Sequence, residues 1–299
     1  MRKKQLVFII NPHAGTDRNK TLSKVIQQQL DTTQYEYELC YTQYAKHGTE
    51  LAKDAAEKGA YGVIAVGGDG SLNDVIAGLR QYPTIVGIIP MGSGNGLARA
   101  LHIPSDVKKA IHLINQNHTV AIDVATANEQ VFVSNAGVGF DACITDAFKH
   151  SKKRGFLSYA RIILQQILPY LEKEYLLTID GNTMLVKAFM ITVSNGSHLG
   201  YNFVVAPHAD CTDGQLQVIV IKKFPKHMAL LLAFRMMTQS LHKSRYVQCF
   251  SGKEITISAP GLTTMQTDGD VHTTHTDEVH ICLSGRQKVW VPKSMLAVK

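Results

Sequence analysis

The sequence predicts two domains: an α/β domain with a mostly parallel sheet, then an antiparallel β-sandwich-like domain with inserted helices. Two observations predict this. Up to about residue 116, short apolar runs alternate with segments of helical periodicity, the rhythm of βαβ units. Past Asp123, strand-like alternation takes over and only two longer helical patterns interrupt it. A length of 299 residues fits about two domains, and an apolar content of 45% is enough to give each a core.

Taken in order, residues 5–10 read as a buried strand, 19–30 as a helix with Leu22, Val25, Ile26 and Leu30 on one face, 35–41 as a strand and 48–58 as a helix. Strand 61–66, helix 72–80 and strand 85–89 follow, then helices from Leu97 and over 106–116. In the second part the expected strands are 119–126, 130–135, 174–180, 184–194, 215–221, 253–258, 262–267, 277–283 and 287–291, with helices at 155–171 and 225–241. Asp180-Gly181 and Ser251-Gly252 suit hairpin turns or bulges. The domains are therefore set at 1–125 and 126–289, with residues 290–299 returning to the first.

Composition excludes several classes. Charged residues are only 18% of the chain, which argues against extended disorder. A net charge of +7 fits nucleic acid, an anionic membrane surface or phosphorylated small molecules, and selects none. Cys40, Cys143, Cys211, Cys249 and Cys282 include no CxxC pair, so buried free thiols in a reducing cytoplasm are expected rather than zinc or disulfides. His272, His275 and His280 lack an HExxH or cysteine context and read as a solvated loop. The apolar run Leu6 to Ile10 closes at Asn11-Pro12, too soon for a signal peptide. No run reaches the roughly 18 apolar residues of a membrane span.

Three loops follow three strands of the first domain: Asn11-Pro12-His13-Ala14-Gly15, Gly67-Gly68-Asp69-Gly70-Ser71 and Pro90-Met91-Gly92-Ser93-Gly94-Asn95-Gly96. In a parallel sheet such loops gather at the carboxyl edge, where ligands bind. The second leads into a helix, so its amides face the positive end of the helix dipole and suit a phosphate. Any one of these loops alone would be a plain turn. No GxxxxGK[ST] is present, which excludes a Walker P-loop. Nor does GxGxxG occur at the first strand–helix turn.

In this order, Asn11-Pro12-x-x-Gly15, Gly67 to Asn73 and Pro90 to Asn95 resemble the catalytic domain of the diacylglycerol kinase family, which includes sphingosine and ceramide kinases and is distantly similar to NAD kinase and 6-phosphofructokinase. Asn135-Ala136-Gly137-Val138-Gly139-Phe140-Asp141-Ala142, Ala206 to Leu216 and Gln266-Thr267-Asp268-Gly269-Asp270 extend the resemblance over nearly the whole chain. It implies an NAD kinase-like first domain and ATP- and Mg²⁺-dependent phosphorylation of a lipid hydroxyl on diacylglycerol, a sphingoid base or phosphatidylglycerol. The active site would lie between the domains. An NAD kinase-like small-molecule kinase and a catalytically weak nucleotide or lipid sensor remain the alternatives.

The resemblance also implies roles. Asn11, Pro12, His13, Ala14 and Gly15 line the nucleotide, with Thr42 a further contact. Gly67, Gly68, Asp69, Gly70, Ser71 and Asn73 cradle phosphates, and Asp69 serves Mg²⁺; helix capping is its bland alternative. Gly92, Ser93 and Asn95 close over the nucleotide, with Gly96 standing where many bacterial diacylglycerol kinases carry Asp. Asp123 joins the metal network or a structural ion pair. Asp210, Asp213 and Gln215 resemble a second metal loop. Asp268 is the expected base, with Asp270 assisting, against the plain reading of an acidic turn. The expected partners are a lipid substrate and, through the basic stretches 149–154 and 226–245 beside apolar helices, an anionic membrane surface. A homodimer is compatible with the sequence, and nucleic acid is not expected.

Overall fold

The computed structural model describes residues 3–150, 156–200 and 203–296. Of the basic stretch 149–154 that the sequence pointed to, residues 151–154 lie outside the described residues. The chain forms two compact units, residues 1–122 with 285–299, and residues 123–284.

In the first unit, β1 (Lys4–Ile10), α1 (Thr16–Gln29), β2 (Tyr35–Tyr41), α2 (His47–Glu57), β3 (Gly62–Gly67), α3 (Asp69–Leu79), β4 (Ile85–Pro90), α4 (Gly96–Ala100) and α5 (Val107–Gln116) follow one another. β4, β3, β1 and β2 lie side by side and all run parallel. The central runs of β1, β3 and β4 are fully buried, as strands covered on both faces must be, while β2 at the edge is mostly exposed or half-buried. α2 packs on α3, and α1 on α5. At the α2–α3 crossing a Cβ on Gly78 would sit 2.3 Å from the Thr49 carbonyl, so only glycine permits that approach. Helix α3 begins at Asp69, three residues before the apolar periodicity does.

The second unit contains β5 (Thr119–Ala127, from Asp123), β6 (Gln130–Phe132), β7 (Asn135–Gly139), α6 (Phe140–Lys149), α7 (Phe156–Ile167), β8 (Lys173–Ile179), β9 (Asn182–Ser194), β10 (His198–Gly200), β11 (Phe203–Val204), β12 (Leu216–Lys222), α8 (Ala229–Met237), β13 (Val247–Gly252), β14 (Glu254–Ser258), β15 (Thr264–Thr267), β16 (Asp270–Thr273) and β17 (Glu278–Trp290, to Ser284). The order β16-β15-β7-β9-β8-β14-β17 is antiparallel throughout. The long β9 also pairs with β12, which pairs with β13. One core joins Phe132, Tyr175, Leu177, Ile191, Val218 and Ile281; a second, under α6, α7 and α8, joins Phe140, Ile167, Phe189 and Leu232.

Several expectations change. The expected strand 130–135 stops at Phe132 as β6, and a separate strand β7 begins at Asn135, because pairing with β9 and β15 makes a strand of the glycine-containing Asn135–Gly139. Asp180-Gly181 is the two-residue hairpin expected, with φ of 46° and 82°. Ser251-Gly252 forms the last two residues of β13 and is not a hairpin turn; a Cβ on Gly252 would meet Ile179 at 2.4 Å. Strands 277–283 and 287–291 are one strand, which passes Gly285 at φ 149° without ending. Helix 225–241 is 3₁₀ at Lys226–Met228 and Leu241–Lys243, with α8 between. All five cysteines are free, but only Cys211 is buried and Cys249 is exposed. No helix among the described residues is long and apolar enough to cross a membrane.

Candidate functional site

The first unit brings its three predicted loops together. Because β1, β3 and β4 are parallel neighbours, their carboxyl ends are adjacent. The Asn11 amide bonds to the Val66 carbonyl at 3.0 Å, and the Met91 amide to the Gly67 carbonyl at 2.8 Å. Asn11 Nδ2 donates to Ser71 Oγ at 3.4 Å, and Asn11 Oδ1 accepts the His13 amide at 2.9 Å. A Cβ on Gly92 would lie 2.6 Å from the Gly68 Cα, so two backbones pass in contact where side chains would separate them. Thr42 ends the same edge, its amide on the Ile10 carbonyl at 2.9 Å.

Asp69 fastens two of the loops. Its carboxylate accepts the Asn95 amide at 2.8 Å and the Gly96 amide at 2.7 Å. Burial raises its pKa, and these amides act against the rise. Asn95 sits at φ 53°, and its side chain closes the loop by bonding Gly92 through both carbonyl and amide, at 2.7 and 3.2 Å. The first intrahelical bond of α3 runs from Leu72 to Gly68, so the amides of Asp69, Gly70 and Ser71 begin the helix. They lie in the first turn of an eleven-residue helix, where such groups attract an anion. Pro12, His13, Gly70 and Ser93 are exposed on this lip, whereas Asn73 is buried.

The expected metal ligands do not form a cage. Among the described residues no three of His, Cys, Asp and Glu gather to hold an ion. Each Asp69 oxygen already accepts an amide. Its carboxylate thus meets the amides at the start of α4.

In the second unit Asp123 and the 210–215 loop do come together. Asp123 Oδ2 accepts the Gly214 amide at 2.7 Å, and its own amide donates to the Cys211 carbonyl at 2.6 Å. Asp210 accepts the amide and hydroxyl of Thr212, and Asp213 accepts the Gln215 amide at 2.8 Å. Burial first, then the charges of Asp210 and Asp123, raise the Asp213 pKa. The Gly214 amide gives the buried Asp123 carboxylate a donor, and the bonds of Asp210 and Asp213 hold the shape of the loop.

The Asp268 turn joins β15 to β16. Asp268 at φ 47° and Gly269 at φ 88° take the left-handed pair of a two-residue hairpin. The Asp268 carboxylate turns inward and accepts the amides of Val133, Ser134 and Asn135 at 2.9, 2.8 and 3.0 Å. Asp270 is exposed. The expected pair of carboxylates is thus divided between an inward and an outward one.

Three further residues build this region, and none had an assigned role in the sequence. Asn195 Nδ2 donates to the carbonyls of Asp123 and Val133, both at 2.8 Å. Gln266 links the turn to Asn135 and Asp141. Asp141 is pushed up to about 6 by burial, against hydrogen bonds from Gln266 and Thr192. A polar Asn-Gly break after a long strand was the only available sign of Asn195, and it reads equally as a turn.

Comparison with known proteins places the whole arrangement. The diacylglycerol kinase catalytic domain matches residues 5–127. The YegS C-terminal NAD kinase beta sandwich-like domain matches residues 134–285. A diacylglycerol kinase of Staphylococcus epidermidis strain RP62A is 30% identical over 229 residues, 75% of this chain and 72% of that protein. The fold is shared with a candidate diacylglycerol kinase of Bacillus anthracis strain Sterne, at TM-score 0.82, 24% identity and coverage of 98% and 99%. It is shared more distantly with a yeast NADH kinase, at TM-score 0.52, 9% identity and coverage of 98% and 85%. The NAD kinase-like α/β domain and the antiparallel domain expected from the sequence are both present. The chain belongs to the diacylglycerol kinase family and is a kinase of its YegS-like, two-domain type.

Proposed function

We propose that this kinase transfers the γ-phosphoryl group of ATP to a lipid hydroxyl. The observation that carries the proposal is the Asp69 clamp, which holds the Gly92–Gly96 loop against the start of α3 and so fixes a set of amides for phosphate oxygens. Phosphoryl transfer asks the protein mainly for positioning and charge stabilisation. Mg²⁺ would enter with the nucleotide phosphates, since no three of His, Cys, Asp and Glu gather to hold an ion among the described residues and Mg²⁺ readily keeps substrate oxygens and water as ligands.

The lipid hydroxyl oxygen bonds to the γ-phosphorus as the bond to the β–γ bridging oxygen breaks, and ADP leaves. The hydroxyl proton passes to a carboxylate. We assign that role to Asp270, because the Asp268 carboxylate is engaged by three amides while Asp270 faces solvent. Asp268 shapes the turn that carries it.

The substrate would be met at a membrane surface. Leu168 and Leu171 after α7 are 69% and 74% exposed, and Leu230 and Phe234 on α8 are 73% and 60% exposed. Lys226 Nζ bonds to the Tyr170 carbonyl at 2.7 Å, and Ile167 and Leu232 share one core, so the segments that carry these apolar groups pack on the same core. Arg161, Lys243 and Arg245 are exposed on the same segments. Apolar residues rimmed by basic ones suit an anionic bilayer.

Purified protein with MgATP should phosphorylate at least one of diacylglycerol, a sphingoid base or phosphatidylglycerol in mixed micelles, with the product identified by mass spectrometry. Phosphorylation of NAD and no lipid would overturn the lipid assignment. ATP binding without turnover on any lipid would mean a sensor rather than an enzyme.

A further inference from the structure

Gln266 is 2% exposed, and its carboxamide has two ends of nearly the same shape, so what faces each end sets its orientation. Nε2 faces two acceptors, Asn135 Oδ1 at 2.9 Å and Asp141 Oδ2 at 3.0 Å. Oε1 accepts the Gly269 amide at 3.0 Å. Turned over, the amide would set its oxygen against two acceptors and its NH₂ against a donor. Gly269 belongs to the turn that carries Asp268 and leads into Asp270.

The run from Asn135 to Asp141 makes a seat for that carboxylate. A Cβ on Gly137 would lie 2.0 Å from Asp141 Oδ2, so glycine leaves the room the oxygen occupies. Gly139 takes φ 81° as the chain turns into α6, which suits glycine alone. Thr192 Oγ1 donates to the same Asp141 oxygen at 3.0 Å. Asp141 is the charged member of the set, and a charge-assisted bond is roughly twice as strong as a neutral one.

We infer that Asp141 is a positioning residue for phosphoryl transfer, locking Gln266 so that the Asp268–Gly269 turn presents Asp270 in one orientation. This rests on the reading of Asp270 as the proton acceptor. Burial brings Asp141 to about 6, and Gln266 and Thr192 are the partners that act on it. The titratable groups with described side chains on the elements packed against it are Cys143 and Asp146 on α6, Arg161 on α7, Lys187 on β9, and Asp270 and His272 on β16, with the Tyr175 hydroxyl behind Gly139. None of them is among the causes of its shift.

The test follows kcat and the ATP KM from pH 5 to 8 on whichever lipid is turned over. In the wild type, kcat should step down severalfold below pH 6 with KM unchanged. Asp141→Asn keeps an acceptor oxygen but no charge, so its kcat should stay flat at the wild type's low-pH level; Asp141→Leu should be lower at every pH. An Asp141→Asn enzyme that equals the wild type at pH 8, or keeps the step, overturns the inference. If the leucine variant does not fold, the asparagine variant decides alone. In ¹⁵N-labelled protein without substrate, the Gln266 NH₂ and Gly269 amide resonances should titrate together near pH 6, and not in Asp141→Asn. Resonances that stay still overturn the inference whatever the turnover. A wild type that phosphorylates no lipid overturns the functional reading instead, and leaves the titration to decide whether the lock exists.

Discussion

The Asp69 carboxylate lies 2.8 Å from the amide of Asn95, joining the loop after β3 to the loop after β4 with a single side chain. An Asp69→Asn substitution leaves one acceptor and sets an NH₂ group against the other amide. A hydrogen bond to a charged group contributes roughly 1.5–3 kcal/mol, so the ATP KM should rise about tenfold to a hundredfold, with lipid KM little changed. An ATP KM within twofold of wild type would mean that the clamp does not order the nucleotide loops.

Asp268 and Asp270 should separate by variant. Asp270→Asn removes a proton acceptor without disturbing the amides around the turn. Its kcat should fall by about 10²–10⁴-fold, with an unchanged melting temperature. Asp268→Ala strands three amides, at a cost of about 1–3 kcal/mol for each left buried, and should lower the melting temperature by at least ~5 °C. Steady-state kinetics beside calorimetry distinguishes the two, and a fully active, thermally unchanged Asp268→Ala would return the question to the beginning.

The apolar residues of α8 give a surface prediction. Leu230→Glu and Phe234→Glu exchange exposed apolar groups for charge and should leave folding unaltered. Each group contributes roughly 1.5–3 kcal/mol when taken out of water. Sedimentation with vesicles containing phosphatidylglycerol should therefore weaken about tenfold or more per substitution, while turnover of a lipid dissolved below its aggregation concentration is retained. Unaltered vesicle binding by the double variant would move the contact elsewhere.

Asp141 also sets a direction for stability. Its folded pKa of about 6 stands above the carboxylate's unfolded value of about 3.9. The folded state therefore binds the proton more tightly, and this group's stabilising contribution, complete below pH 4, is lost as pH rises through 6. Asp141→Asn does not titrate, so its stability relative to wild type should rise between pH 4 and 7, by no more than about 3 kcal/mol. Paired melting curves at the two pH values measure the difference, and a variant that loses stability relative to wild type as pH rises has the wrong sign.

The sequence displayed the first unit far better than the second. Strands such as Leu6–Ile10 and Val63–Val66 are continuous apolar runs ended by glycine or Asn-Pro, so local pattern and buried environment agree. Asn135–Gly139 carries no such signal, because its pairing with β9 and β15 supplies the strand. The loops were legible as a group, and Asp69 was legible as important. Its work was not, since the amides it holds are 26 and 27 residues away. Asp268 was hidden in the same way: an Asp-Gly turn shows in sequence, but three amides more than 130 residues distant do not.

The return of the C-terminal segment to the first unit has a consequence for biosynthesis. Val289 pairs with Val86 beside β4, and Trp290 is wholly buried, its indole nitrogen on Asn117 at 2.9 Å and its ring where a Cβ on Gly62 would stand. The first unit is begun by residues made before the second unit and finished by residues made after it. Residues 123–284 can be released and folded while the parallel sheet of the first unit still lacks its outer strand. A nascent chain stalled before Trp290 should thus hold a protease-resistant second half and a sensitive first one, an order of maturation opposite to the order of translation.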